Sequence, residues 1–99
     1  MDSVQIVDAL TALGKRTRLE TFRLLVMSEP NGIAAKDLGK LLGIRKHAAS
    51  THLASLAKAG LVLASRQNGT MTYRPNVGFY DEILRFLAVE IRGSESFKP

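Results

Sequence analysis

Small polar side chains recur at helical spacing in the middle of the chain. His47, Ser50 and Thr51 fall on one side of the helix that this spacing predicts, and Arg45 and Lys46 stand at its start. Short donors and acceptors on a slim helix face can approach the edges of bases in a major groove, while cations at the flank can contact phosphates. The chemistry that this set favours is therefore hydrogen bonding to duplex DNA.

A second group of polar residues surrounds a tight turn. Asn68-Gly69 is the strongest short signal for a two-residue hairpin, and Arg66 and Thr70 flank it. A hairpin tip of this composition can reach a groove next to the one that holds the helix, where an arginine gains from the negative potential of the minor groove.

The positive charge of the chain is concentrated in its middle third. Residues 36–74 hold seven basic residues and one acidic residue, a net charge of +6, whereas residues 1–35 sum to zero and residues 75–99 to −1. This distribution indicates a polyanionic partner. A solvated basic face without a partner is the alternative, and for Lys36 and Lys40, one helical turn apart, phosphate contact and simple solvation are weighed evenly.

Five helices and a hairpin must position these residues. The apolar spacing predicts mainly helical structure with a small β-hairpin, in the order helix, helix, helix, helix, strand, strand, helix. Ser3 is expected to cap the first helix and Thr17, with Glu20 three residues on, to cap the second. The predicted bounds are 3–13, 17–28, 35–42 and 46–59 for the first four helices, 61–66 and 70–74 for the strands, and residue 77 for the start of the last helix.

Composition excludes several classes of protein. The 99 residues include no cysteine, so disulfides, thiolate metal sites and cysteine nucleophiles are absent. No apolar run approaches the length of a membrane span, and the N-terminus has no signal-peptide core, which favours a cytoplasmic protein. No phosphate loop or catalytic constellation is visible, so an enzyme is not expected. A chain this short has a marginal core, which favours self-association.

The motifs resemble those of the ArsR/SmtB family of bacterial winged helix-turn-helix repressors. The likeness is carried by ALGKRTRL at residues 12–19, DLGKLLGI at 37–44, ASTHLASLAKAGLV at 49–62, and the segment from Gly69 to Arg74. The resemblance implies a dimer built from the first and last helices, a recognition helix at about 46–59, and operator binding that a signal releases. Two recognition helices related by a two-fold axis would enter successive major grooves about 34 Å apart, on an imperfect palindrome.

Two departures from the family pattern concern charge and capping. Lys15-Arg16 stands where the family usually has Asp-Pro, and Arg45 stands where a serine or threonine usually caps the recognition helix. The first adds positive charge, and the second removes a cap worth about 1 kcal/mol, which a phosphate contact by Arg45 would offset.

A third departure concerns the family's metal sites. The third-helix site needs cysteine, and the last helix has Asp81, Glu82 and Glu90 but no histidine. A transition-metal site is therefore not expected, no cofactor is predicted, and the inducer is left open, a small ligand in the dimer cleft included.

These observations predict one winged-helix domain over residues 1–92, with a disordered tail at 93–99. The expected function is that of a homodimeric, sequence-specific DNA-binding transcriptional regulator, with a repressor favoured because steric blocking needs no activation surface. A winged-helix module for protein–protein interaction or architectural DNA binding is the alternative. His52 is expected to be packed and hydrogen-bonded at the core edge. The residues predicted to contact DNA are Lys36, Lys40, Arg45, Lys46, His47, Ser50, Thr51, Arg66, Asn68 and Thr70.

Overall fold

The computed structural model describes residues 2–91, and the predicted tail at 93–99 lies outside them. It confirms the predicted succession of helices around a hairpin. The elements are α1 (Ser3–Leu13), α2 (Arg16–Met27), β1 (Ile33–Ala34), α3 (Ala35–Leu42), α4 (Lys46–Lys58), β2 (Val62–Gln67), β3 (Thr70–Pro75) and α5 (Val77–Arg85), which continues as a π-helical segment, Phe86–Glu90. Within residues 2–91, no helix is both long enough and apolar enough to cross a bilayer.

The core forms where α4 meets the helices around it. Ala49, Leu53 and Leu56, spaced four and three residues apart, share one side of α4 and are fully buried. Leu25 of α2 and Leu38 of α3 are equally inaccessible and belong to the same cluster. Because α4 buries one narrow stripe, its opposite side is left to solvent.

The structure corrects the starts of the first two helices. Asp2, not Ser3, caps α1: its carboxylate accepts from the Gln5 backbone N–H, and the Gln5 side chain accepts from the Asp2 N–H, which completes a capping box. Helix α2 begins at Arg16, so Thr17 lies inside its first turn and caps nothing; its carbonyl accepts the Thr21 hydroxyl instead.

The turn between α3 and α4 depends on two glycines. Gly43 ends α3 in the left-handed region at φ 69°, and the N–H of Ile44 returns to the Gly39 carbonyl at 2.9 Å. A Cβ on Gly39 would lie 2.9 Å from the Ile44 carbonyl oxygen, closer than side chains tolerate. The absence of a side chain at Gly39 thus lets the start of α4 approach α3.

The hairpin belongs to a three-stranded antiparallel sheet, in the order β1-β3-β2. The sequence predicted only the hairpin; β1 pairs Ile33 with Tyr73 and adds a third strand. Asn68 and Gly69 form the predicted turn with φ values of 51° and 79°, the positive pair that a type I′ hairpin requires.

Helix α5 starts against the end of α4 and becomes less buried toward its end. The Asn76 side chain donates to the Gly60 carbonyl at 3.0 Å and accepts from the Phe79 N–H, so it joins the two helices. The rings of Phe22 and Tyr80 meet at a centroid distance of 5.3 Å. Ile83 is the buried residue of α5, and in the π-helical segment Phe86 and Leu87 still pack against the core although neither is fully buried.

Candidate nucleic-acid interface

The solvent side of α4 carries a line of four exposed residues. With about 100° between successive residues, His47, Thr51, Ala54 and Lys58 lie nearest to the direction opposite the buried stripe, and all four are exposed. We call these four residues the outer line. The Thr51 hydroxyl donates to the His47 carbonyl at 3.1 Å, so its proton is used inside the helix.

A cleft of about 420 Å³ opens beside the outer line, between α4, the start of α3 and the hairpin. It holds three cationic side chains, one from each of these elements, and no carboxylate. The residues that line this basic cleft are Ala34, Ala35, Lys36, Lys46, Ser50, Arg66, Gly69, Thr70, Met71 and Tyr73.

Backbone geometry adds to the positive potential of the basic cleft. Helices α3 and α4 start at the cleft, and neither N-cap residue, Ala34 or Arg45, makes a side-chain cap hydrogen bond. The first N–H groups of each helix are therefore not satisfied by a cap, and helix N-termini favour anions. Within the hairpin, the Arg66 guanidinium donates to the Gly69 carbonyl at 3.4 Å, which holds it over the turn.

The structure divides the ten sequence-predicted site residues into three sets. Lys36, Lys46, Ser50, Arg66 and Thr70 come together in the basic cleft. His47 and Thr51 stand on the outer line. The remaining three are exposed but line neither feature: Lys40 on α3, Arg45 in the turn before α4, and Asn68 at the hairpin tip.

Sequence reasoning missed part of the cleft wall. Met71 and Tyr73, both half-buried, face the cleft from β3, and Tyr73 also packs against the core. The alternation of residues 71 and 73 places them on one side of the strand and was the signal that could have found them. Ala34 and Ala35 had no such signal, because they join the cleft only through the start of α3.

One cation of the basic middle third is already paired with a carboxylate of the same chain. Arg74, on β3, forms an ion pair with Glu29, at 2.8 Å. Their side chains are 45% and 27% exposed, so the pair lies at the surface, where such pairs contribute little stability. It ties the sheet to the segment after α2 and takes Arg74 out of the charge available to a polyanion.

His52 lies on the other flank of α4, away from the basic cleft. Burial, followed by the nearby charges of Lys15 and Arg18, holds the pKa of its imidazole below the ordinary value of about 6.5. It is half-buried as expected, but within residues 2–91 no hydrogen bond to it is formed, so the expected partner is absent. Arg18 itself is anchored, since its Nε donates to the Ala12 carbonyl at 2.6 Å.

Several solved structures share this architecture, although no protein-family model and no curated protein matches the sequence. An ArsR-like transcriptional regulator from Rhodococcus sp. RHA1 is 24% identical with a TM-score of 0.77, over 93% of this chain and 82% of that one. The homodimeric winged helix-turn-helix DNA-binding domain of Mb0332 from Mycobacterium bovis is 23% identical with a TM-score of 0.71, over 96% and 86%. The transcriptional repressor BigR from Xylella fastidiosa is 19% identical with a TM-score of 0.66, over 88% and 87%.

Architecture and similarity agree on one class of protein. The chain is a winged helix-turn-helix protein, in which α3 and α4 form the helix-turn-helix and the hairpin forms the wing. Its fold is of the ArsR/SmtB type, as the sequence motifs indicated.

Proposed function

We propose that this protein is a homodimeric, sequence-specific DNA-binding transcriptional regulator that acts as a repressor and performs no catalysis. The observation that carries the proposal is the pairing of two surfaces on α4: a slim outer line, and beside it a basic cleft with three cations and no carboxylate. A duplex needs both, because phosphate contacts position a protein and base contacts specify its site.

Binding would use the two surfaces together. With α4 in the major groove, the outer line faces base edges, and Lys36, Lys46 and Arg66 face the phosphates that border the groove. Asn68 and Thr70 then lie at the tip of the wing, toward the next groove. Lys40 and Arg45 are exposed near the same side and are assigned to backbone contacts.

The dimer is proposed from the apolar surface of α1 and α5. On α1, Val4, Val7 and Leu10 are exposed although the opposite side of the helix is buried, and Leu84 is exposed on α5. Val89 in the π-helical segment and Ile91 just after it are exposed as well. A second copy that covered this apolar surface would add to a core that is marginal in a domain of this size. The homodimeric state of Mb0332, a domain with this fold, supports a dimer.

Repression and a response without transition metals complete the proposal. BigR is a repressor with this fold, and steric exclusion of polymerase needs no surface beyond the DNA contact. The chain has no cysteine, and within residues 2–91 no three potential ligands from His, Asp and Glu gather into a metal site. The donor set that a transition metal prefers is therefore missing from the described part of the chain.

A protein of this kind works where the chromosome lies, which is the cytoplasm in bacteria.

The experiment that tests the function is selection of binding sites from a random duplex library at about 0.15 M salt, where weak electrostatic binding is reduced. We expect enrichment of a two-fold-symmetric site with half-sites about one helical turn apart. Binding without enrichment, abolished by salt, would instead assign an architectural role. The absence of any DNA binding would leave a protein-interaction module, and either result would overturn the proposal.

A further inference from the structure

The side chains at the centre of the outer line differ from those that flank it. Thr51 and Ala54 occupy its middle, while Ser50 and Lys46 are turned toward the basic cleft and line its wall. Residues three apart on a helix have Cβ atoms about 5–6 Å from each other. Thr51 and Ala54 are therefore neighbours on the part of α4 that would go deepest into a major groove.

The group that both of these residues present is a methyl. Ala54 has nothing else to offer, and its methyl is exposed. The hydroxyl proton of Thr51 is donated to the His47 carbonyl, so what remains of this side chain for a partner is its methyl group and an acceptor oxygen. The Ala54 side chain has no hydrogen-bond donor, and Thr51 could donate to a guanine only after breaking its hydrogen bond to His47.

The composition of α4 sharpens this point. Residues 46–58 contain no arginine, asparagine or glutamine, and the two lysines that could read guanine, Lys46 and Lys58, stand at the two ends of the helix and not at its centre. Among the bases, only thymine shows a methyl in the major groove, and alanine and the threonine methyl are known apolar partners for it.

We infer that Thr51 and Ala54 determine sequence preference by packing against the C5-methyl groups of thymines in each half-site. The inference rests on the proposed function and specifies it: the DNA that this protein prefers has T·A pairs at the centre of each half-site, read by shape and apolar contact.

The test uses the duplex enriched from the random library, remade with deoxyuridine in place of one thymine at a time. Deoxyuridine pairs like thymine and lacks only the methyl. Burial of one such carbon is worth about fourfold in affinity, so we expect about fourfold weaker binding at one or two thymines in each half-site and no change elsewhere.

A matched pair of variants assigns the effect to the protein. Thr51→Ser removes the methyl and keeps the hydroxyl, so the deoxyuridine penalty at its thymine should vanish. Thr51→Val keeps a methyl at the same place and removes the hydroxyl, so the penalty should persist. Ala54→Gly should abolish the penalty at the neighbouring thymine, with circular dichroism as the check that α4 is intact.

Three outcomes would contradict this assignment in different ways. An enriched site whose affinity is insensitive to every deoxyuridine overturns the inference and leaves the proposed function standing. A penalty that survives in both Thr51→Ser and Ala54→Gly also overturns it, because another residue would then hold the methyl. A library without any enriched site overturns the inference and the proposed function together.

Discussion

The two ends of this molecule differ in the kind of surface that they present to a partner. At the wing end, α3, α4 and the hairpin build the basic cleft and the outer line from one chain, and each wall of the cleft is already in contact with the core. At the other end, α1 and α5 leave large apolar side chains in water, with Val4 68% and Val89 58% exposed. A surface for a polyanion can be completed by a monomer, whereas the apolar surface of α1 and α5 is the one proposed to bind a second copy.

The two ends also differ in the physical force that a partner would relieve or satisfy. The basic cleft at the wing end holds three cations with no carboxylate among them, so its charges repel one another until a polyanion arrives. The apolar surface at the other end gains instead by excluding water. The proposed DNA binding and the proposed self-association would thus depend on different physical forces, so a variant can be designed to disturb one without the other.

The largest effect is expected from a charge placed in the apolar end. In the double variant Val7→Glu with Leu84→Glu, the dimer should dissociate to the 10.8 kDa monomer in sedimentation equilibrium, because two carboxylates per chain would be buried unpaired. Binding to a two-fold-symmetric site should weaken by about 100-fold or more as the second half-site is lost.

The control for this prediction is Leu41→Glu. Leu41 is 62% exposed, as apolar as the two test positions, but lies on α3 at the wing end. Its variant should remain a dimer. A double variant that kept the dimer mass would place the interface elsewhere than α1 and α5.

A second comparison sets one glycine from each end against the other. Gly39→Ala should lower the free energy of unfolding by about 2 kcal/mol, because the new Cβ would lie 2.9 Å from the Ile44 carbonyl and push α4 off α3. Gly78→Ala, in the first turn of α5, meets nothing closer than 3.9 Å and should raise it by about 0.5–1 kcal/mol. Urea unfolding at one protein concentration measures both. Equal changes in the free energy of unfolding for the two variants would show that the packing of α4 against α3 does not depend on the missing side chain at Gly39.

The wing offers a smaller effect with a clear signature. Arg66→Ala should weaken binding to all sequences, and the slope of log affinity against log salt should fall by about 0.9 for each phosphate that the side chain no longer neutralises. Its neutral neighbour on the same strand is the control: Gln67→Ala should leave the slope unchanged. A slope that Arg66→Ala does not alter would show that this guanidinium does not bind a phosphate.

The smallest effect concerns His52. Because its pKa is lower in the folded protein than the ordinary value of about 6.5, the unfolded chain binds a proton first as pH falls. Stability should therefore decline from about pH 6.5 downward until the folded-state pKa is passed, and His52→Gln should lose this part of the decline. Lys15→Gln should raise the His52 pKa, and NMR titration of the imidazole measures this rise. A pKa at or above 6.5 in the parent protein would contradict the assignment.

Much of the architecture followed from local patterns. The spacing of Ala49, Leu53 and Leu56 predicted which side of α4 is buried, and Asn68-Gly69 predicted the hairpin and its turn. These signals suffice because each depends on residues close together in the chain. The same spacing, with the turn signals between the apolar runs, predicted the order of the elements.

The parts that the sequence could not supply depend on distant residues. Strand β1 has two residues, too few for any periodicity, and exists because Gly32 lets the chain lie against β3: a Cβ there would come within 2.8 Å of the Tyr73 carbonyl. Ser50 lines the cleft only because the folded wing forms the opposite wall, and the wing is distant from Ser50 in the sequence. Caps shift by one residue easily, since Asp2 and Ser3 are both good N-cap residues and only Asp2 has Gln5 at the right distance.

The separation of the outer line from the basic cleft bears on how such a protein can change over generations. The cations proposed to bind the phosphates of any duplex stand on the cleft wall, and the residues proposed to face base edges stand on another arc of α4. On these assignments, a substitution at Thr51 or Ala54 would redirect the protein to a new set of sites while its contacts to the DNA backbone are kept. A duplicated copy of this gene would then be able to change its sequence preference without passing through a form that no longer binds DNA.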